Sequence, residues 1–133
     1  EQLEVYRKLS TSIQSGLIRT AHDCSEGGLA VALAEMCIGG RCGAIVDIDG
    51  IGPGDSFSRL WSESLGRIVV TVSAEHELSF VEMMAGADIH LIGMVSASSE
   101  LLIEDGYDTI IHADVDELTQ SWKGALDMTG AIE

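Results

Sequence analysis

Residues 21 to 28 read AHDCSEGG and set His22, Asp23, Cys24, Ser25 and Glu26 directly before the glycine pair Gly27-Gly28. The next eight residues, LAVALAEM, are helix formers. A strand that passes into a helix through two glycines leaves backbone N–H groups uncovered at the positive end of that helix. Such an end is a seat for an anion. Ser25 or Asp23 could instead cap the same helix with no ligand involved, and His22 could meet a ligand or simply close the strand. A second polar cluster, WSESLGR at residues 61 to 67, places Glu63, Ser64 and Arg67 ahead of the apolar run IVVTV. Alone it reads as a solvated turn with one Arg–Glu pair; two clusters ending strands of one sheet point to a binding site.

Other chemistries fit less well. His22 and Cys24 with Cys37 and Cys42 match no common zinc spacing, and Cys37 falls inside an apolar helix, so no metal site is expected. DIDGIG at residues 47 to 52 begins like a calcium loop but has Ile51 and Ser58 where oxygen ligands are required. Ser25 or Cys24 beside His22 suggests a nucleophile and base, yet neighbours at a strand end point to opposite faces and no GxSxG elbow is present. No catalytic residue is assigned.

The elements that must position these clusters follow from periodicity. Leu3, Tyr6, Leu9 and Ile13 give one apolar stripe for a helix that stops near Gly16, and residues 17 to 22 form a short strand. Residues 28 to 38 are apolar nearly all round, which predicts a deeply buried helix stopped by Gly39-Gly40. GAIVDID reads as a strand, GIGPGDS as a loop, 55 to 60 as a short helix and RIVVTV as a strand. A helix near 75 to 84 follows, its capping box from Ser73 spoiled by His76. Then come strands in IHLIGMV, LLIED and DTIIHADV, a turn at Gly106 and a last helix near 116 to 122. This order is too irregular for a doubly wound parallel sheet. An α+β fold is expected, a layered mixed sheet with helices, as one domain over residues 1–126 and a tail at 127–133.

Lys and Arg total 7 against 22 Asp and Glu, a net charge of −15, which opposes binding to nucleic acid or an anionic membrane through a basic face. No apolar run approaches the roughly 20 residues needed to cross a bilayer, and no signal peptide is evident, so a cytoplasmic location is expected. Three cysteines without a CxxC pair favour reduced thiols. The chain begins with Glu1 rather than methionine, which hints at a piece of a longer protein.

GLIRTAHDCSEGGLAVALAEM, the following GA strand and LWSESLGRIVVTV, at this separation, closely resemble the last domain of the phosphoribosylformylglycinamidine synthase (PurL-type) family, within the AIR synthase-related, PurM-like superfamily. The opening LEVYRKLSTSIQSG and closing DVDELTQSWKGALD extend the similarity over nearly the whole chain. The resemblance implies a C-terminal α/β half related in part to the ferredoxin-like fold. It implies an ATP-dependent C–N ligase of purine biosynthesis: ATP and Mg²⁺ activate the amide oxygen of formylglycinamide ribonucleotide as a phosphate ester, and glutamine-derived ammonia displaces it to give the amidine. Most nucleotide and magnesium ligands would lie on an absent N-terminal synthetase half, leaving the isolated chain inactive. Substrate- or phosphate-binding roles carry over to His22, Asp23, Ser25, Glu26, Gly27 and Gly28, and to Glu63, Ser64, Gly66 and Arg67, all facing the cleft between the halves. The implied partners are the N-terminal half and a glutaminase subunit or domain, with a homodimer also expected from helix faces the missing half would leave bare. The alternatives are a sister enzyme of the hydrogenase-maturation, selenophosphate or thiamine-phosphate kinase type, or a non-catalytic nucleotide-binding module.

Overall fold

The apolar circumference of residues 28 to 38 demands cover on every side, and the fold is organised around that demand. The computed structural model describes residues 2–24, 27–52, 54–62 and 67–129. The chain runs α1 (Gln2–Gln14), β1 (Thr20–Asp23), α2 (Gly28–Gly40), β2 (Gly43–Asp47), α3 (Ser56–Trp61), β3 (Ile68–Thr71), α4 (Glu77–Met83), β4 (Gly93–Ser96), β5 (Glu100–Asp105), β6 (Asp108–Asp114) and α5 (Val115–Thr129), with one 3-10 turn at Ala74–His76 before α4.

The architecture is α+β with mixed sheets, as expected. Four strands form a sheet in the order β4-β2-β5-β6, in which β2 and β5 run parallel and the flanking pairs antiparallel. A separate two-stranded antiparallel sheet joins β1 to β3. Strand alternation sends Ala44 and Val46 of β2 and Leu101 and Ile103 of β5 to the covered face, while Ile45 faces out. Onto the covered face packs α2, which buries Leu29, Ala30, Ala32, Leu33 and Cys37 and touches α3 and α5. Ile48, Leu60, Cys24 and Val115 close the same core. Each large aliphatic buried there contributes about 1.5–3 kcal/mol.

Five local readings are refined by the structure. The apolar stripe of α1 is largely uncovered: Leu3, Tyr6 and Ile13 are 61%, 42% and 50% exposed. The side of α1 that packs instead carries fully buried Ser12, whose hydroxyl is satisfied by the Lys8 carbonyl at 2.9 Å, and Lys8 Nζ reaches the Ala85 carbonyl beyond α4. α2 includes both Gly39 and Gly40, and its left-handed C-cap is Arg41, with N–H to the Cys37 and Ile38 carbonyls. β4 covers only the end of IHLIGMV, and α5 runs on to Thr129. At Ser73 the predicted spoiling histidine itself becomes the partner, with Ser73 Oγ and His76 Nδ1 2.9 Å apart. Among the described residues no helix is long and apolar enough to cross a membrane.

Candidate functional site

The two polar clusters are joined by the β1–β3 ladder. His22 lies opposite Val69 and Asp23 opposite Ile68, and the ladder continues as the Cys24 N–H donates to the Arg67 carbonyl at 2.9 Å. The first half of the first cluster therefore meets the start of the strand that follows the second. Antiparallel pairing across 44 residues of chain is what places Asp23 and Arg67 at one end of one small sheet.

From there the chain enters α2 through two left-handed glycines, Gly27 at φ 78 and Gly28 at φ 73. Gly27 is the N-cap residue and brings no side chain to the helix end. Gly28 is buried against the last turn of α3: a Cβ built there lies 2.5 Å from the Leu60 carbonyl oxygen and 2.8–2.9 Å from the Trp61 backbone. At Gly27 a Cβ meets Val31 Cγ2 at 2.5 Å. Only glycine accommodates both the dihedral and the approach, so the pair sets the start of α2 hard against α3.

Arg67 is half-buried, and its Nη2 donates to the Arg59 carbonyl at 3.1 Å, near the negative C-terminal end of α3. Arg59 in turn is fixed by its own side chain. Its Nη1 donates to both carboxylate oxygens of Asp105 at 3.0 and 2.9 Å, its Nε to the Gly52 carbonyl at 3.2 Å, and Ser56 Oγ donates to Asp105 Oδ2 at 2.6 Å. Asp105 ends β5, so a relay of hydrogen bonds runs from the larger sheet through α3 to Arg67. A guanidinium carries five donors, and one of them is used on Arg59.

His22 is held on both sides. Nδ1 donates to the Asp23 carbonyl at 2.6 Å, and Nε2 lies 2.8 Å from Glu35 Oε1 on α2. Both partners are hydrogen-bond acceptors. His22 thus links β1 to α2. Cys24 is buried, and burial pushes its thiol pKa up against the lowering effect of nearby Arg67. A protonated buried thiol is a poor nucleophile.

Of the ten predicted site residues, His22, Asp23, Gly27, Gly28 and Arg67 are brought together at this end of the β1–β3 sheet. Ser25, Glu26, Glu63, Ser64 and Gly66 lie outside the described residues. Among the described residues no three His, Cys, Asp or Glu side chains converge as metal ligands. In the calcium-like loop Asp47 Oδ1 is spent on backbone, accepting from the Asp49 N–H at 2.9 Å and the Gly106 N–H at 3.1 Å; these bonds hold its carboxyl below the usual carboxylate range. Three supporting residues were not anticipated. Glu35 had a signal in the sequence, being the lone charge in the apolar run GLAVALAEMCIGG; Arg59 and Asp105, 46 residues apart, had none.

Comparison with solved structures gives the fold independent support. The chain superposes on Thermotoga maritima PurL complexed with FGAR (formylglycinamide ribonucleotide) with a TM-score of 0.77 at 21% identity, covering 89% of this chain and 21% of that one. Against T. maritima PurL complexed with ATP the TM-score is 0.77, again at 21% identity, with 87% of this chain and 21% of that chain covered. Phosphoribosylformylglycinamidine synthase II from the same organism gives 0.78 at 21% identity and 89% and 21% coverage. The chain thus spans about a fifth of the length of these proteins. A family model described as AIR synthase related protein, C-terminal domain, matches residues 1–105. With its polar strand-to-helix turn, its mixed α+β sheets and this match over most of its length, the chain belongs to the AIR synthase related C-terminal domain family.

Proposed function

We propose that the chain is the C-terminal part of a PurL-type phosphoribosylformylglycinamidine synthase, a ligase of purine biosynthesis in the cytoplasm that uses ATP and Mg²⁺ and converts formylglycinamide ribonucleotide to its amidine with ammonia from glutamine. In this reading it forms one wall of a cleft whose other wall is the N-terminal synthetase half, with a glutaminase supplying ammonia. The observation that carries the reading is the convergence of the glycine-opened start of α2 with Arg67, in a chain of this family that superposes on PurL structures bound to FGAR and to ATP.

The chemistry asked of this wall is charge stabilisation. Activating an amide oxygen by phosphoryl transfer spreads negative charge over the transferring group, and prepositioned N–H dipoles and a guanidinium lower that barrier most where water is excluded. The start of α2 and Arg67 offer such donors, and the Arg59–Asp105 relay keeps Arg67 from reorganising during the reaction. In this reading Mg²⁺ would be held mostly by the N-terminal half and would supply neutralisation of the charge on the transferring phosphate.

The test is reconstitution. The chain alone is expected to give no amidine from ATP, formylglycinamide ribonucleotide and ammonia. Combined with its synthetase half it is expected to do so, and Arg67→Met is expected to lower that rate by at least tenfold. Turnover by the chain alone would overturn the reading. So would ATP consumption by the assembled protein that requires a different acceptor, as a sister kinase would show.

A further inference from the structure

At the opposite end of α2 from Gly27-Gly28 lies a half-open cavity of about 270 Å³, lined by Ile38 and the exposed Arg41 at the end of α2, the exposed Ser99 ahead of β5, and Val115, Thr119 and the exposed Asp116 and Lys123 of α5. The start of α5 on its rim is held in place. The Val115 N–H donates to the Ser99 carbonyl at 2.7 Å, the Glu117 N–H to Asp114 Oδ1 at 3.1 Å, and Thr119 Oγ1 to the Val115 carbonyl at 2.8 Å.

Arg41 is the anomaly. Among the described residues it is the only non-glycine residue with positive φ, at φ 53 and ψ 45. Glycine is the residue this cap favours, and two glycines stand immediately before it, at positions where a helix gains nothing from them. A strained, non-glycine residue persists where its side chain has a task. Arg41 and Lys123 both line the cavity, and neither cation has a hydrogen-bonding or ion-pairing partner among the described residues. In a chain of net charge −15 with 22 carboxylates, two unpaired cations on one cavity are a local reversal of sign.

The inventory of the walls defines what fits. Arg41, Lys123 and the Ser99 hydroxyl offer donors, and two cations match a dianion. Asp116 and the Thr119 oxygen, whose proton is spent on Val115, offer acceptors and repel a bare anion. We infer that this cavity binds a small organic phosphate that carries a free hydroxyl, its phosphate between Arg41 and Lys123 and its hydroxyl donating to Asp116. The site is separate from the glycine-opened turn and stands whether or not the proposed ligase activity holds.

The experiment is an NMR titration of the full chain with glycerol 3-phosphate, inorganic phosphate serving as the probe without a hydroxyl arm. Saturable shifts are expected at the amides of Arg41, Ser99, Thr119 and Lys123, with inorganic phosphate binding more weakly. Arg41→Gly is expected to keep the fold and an equal or higher unfolding midpoint while weakening glycerol 3-phosphate at least tenfold, and Lys123→Gln to weaken it comparably. Asp116→Asn is expected to remove the preference over inorganic phosphate. No saturable shift at millimolar ligand, shifts that map elsewhere, undiminished binding by Arg41→Gly, or loss of fold in that variant would each overturn the inference.

Discussion

Replacing Gly28 by alanine tests the contact on which the geometry of the polar turn depends, and Gly16→Ala supplies its internal standard. Both glycines have left-handed backbones, φ 73 and φ 79, so both variants carry the dihedral strain of about 1–2 kcal/mol. Both also gain back about 0.4–1 kcal/mol from a stiffer unfolded chain. A Cβ at Gly16 meets nothing within 4 Å, which leaves a net loss of about 1 kcal/mol. At Gly28 the same atom lies 2.5 Å from the Leu60 oxygen and under 3 Å from two Trp61 backbone atoms. Backbone cannot rotate aside as a side chain does, so α2 and α3 must separate, adding overpacking of about 1–3 kcal/mol. The expected total is about 2–4 kcal/mol, a large fraction of the roughly 5–15 kcal/mol typical of a domain. Urea denaturation followed by tryptophan fluorescence measures both variants, with Trp61 at the contact itself. A Gly28→Ala loss within about 0.5 kcal/mol of Gly16→Ala would refute the close-approach argument.

Further expectations concern the groups around that contact. Asp105→Asn leaves Arg59, only 17% exposed, without its carboxylate and is expected to cost about 2–4 kcal/mol in the same assay; a loss below 1 kcal/mol would mean the relay to Arg67 carries little. Glu35→Gln removes a more open pair, with His22 and Glu35 side chains 33% and 45% exposed, so a loss of at most about 1 kcal/mol is expected, with β1 amides exchanging faster by NMR. Burial pushes the Cys37 thiol up to about 11 from 9.0, so between those values the unfolded chain sheds its proton first. Stability is therefore full below pH 9 and falls by up to about 3 kcal/mol as pH rises towards 11, measured under reducing conditions. Cys37→Ala is expected to flatten that fall, and an unchanged slope would contradict the assignment.

How much of this was legible in the sequence depends on the range of the interaction. The burial of α2 was legible because a helix apolar nearly all round has little face to offer water, and the α+β class followed from the irregular order of elements. The polar turn was legible too, since paired glycines before helix formers announce an approach that side chains would block. Periodicity located the α1 helix but not its cover: the stripe of Leu3, Tyr6 and Ile13 stays exposed and the packed side carries Ser12 and Lys8. Amphipathic spacing says that a stripe exists, not which neighbour covers it. The end of α2 moves two residues, from Ile38 to Gly40, because either glycine could take the left-handed cap and Arg41 does so instead. His22 reads as a ligand contact or a strand closure, and its pairing with Glu35, thirteen positions on and one helix away, is a long-range contact that local pattern does not announce. The Arg59–Asp105 pair joins a helix to a strand across 46 residues, a distance over which local pattern carries no information.

The account rests most directly on donors at the start of α2 and at Arg67 facing ligand in the assembled protein. NMR of the labelled chain bound to its synthetase half, titrated with ATP and with formylglycinamide ribonucleotide, reads those donors one by one. The account predicts saturable shifts at the amides of Gly27, Gly28 and Leu29 and at the Arg67 Nε–H for at least one of the two ligands. Saturable binding by the assembly that leaves all four signals unmoved would contradict it.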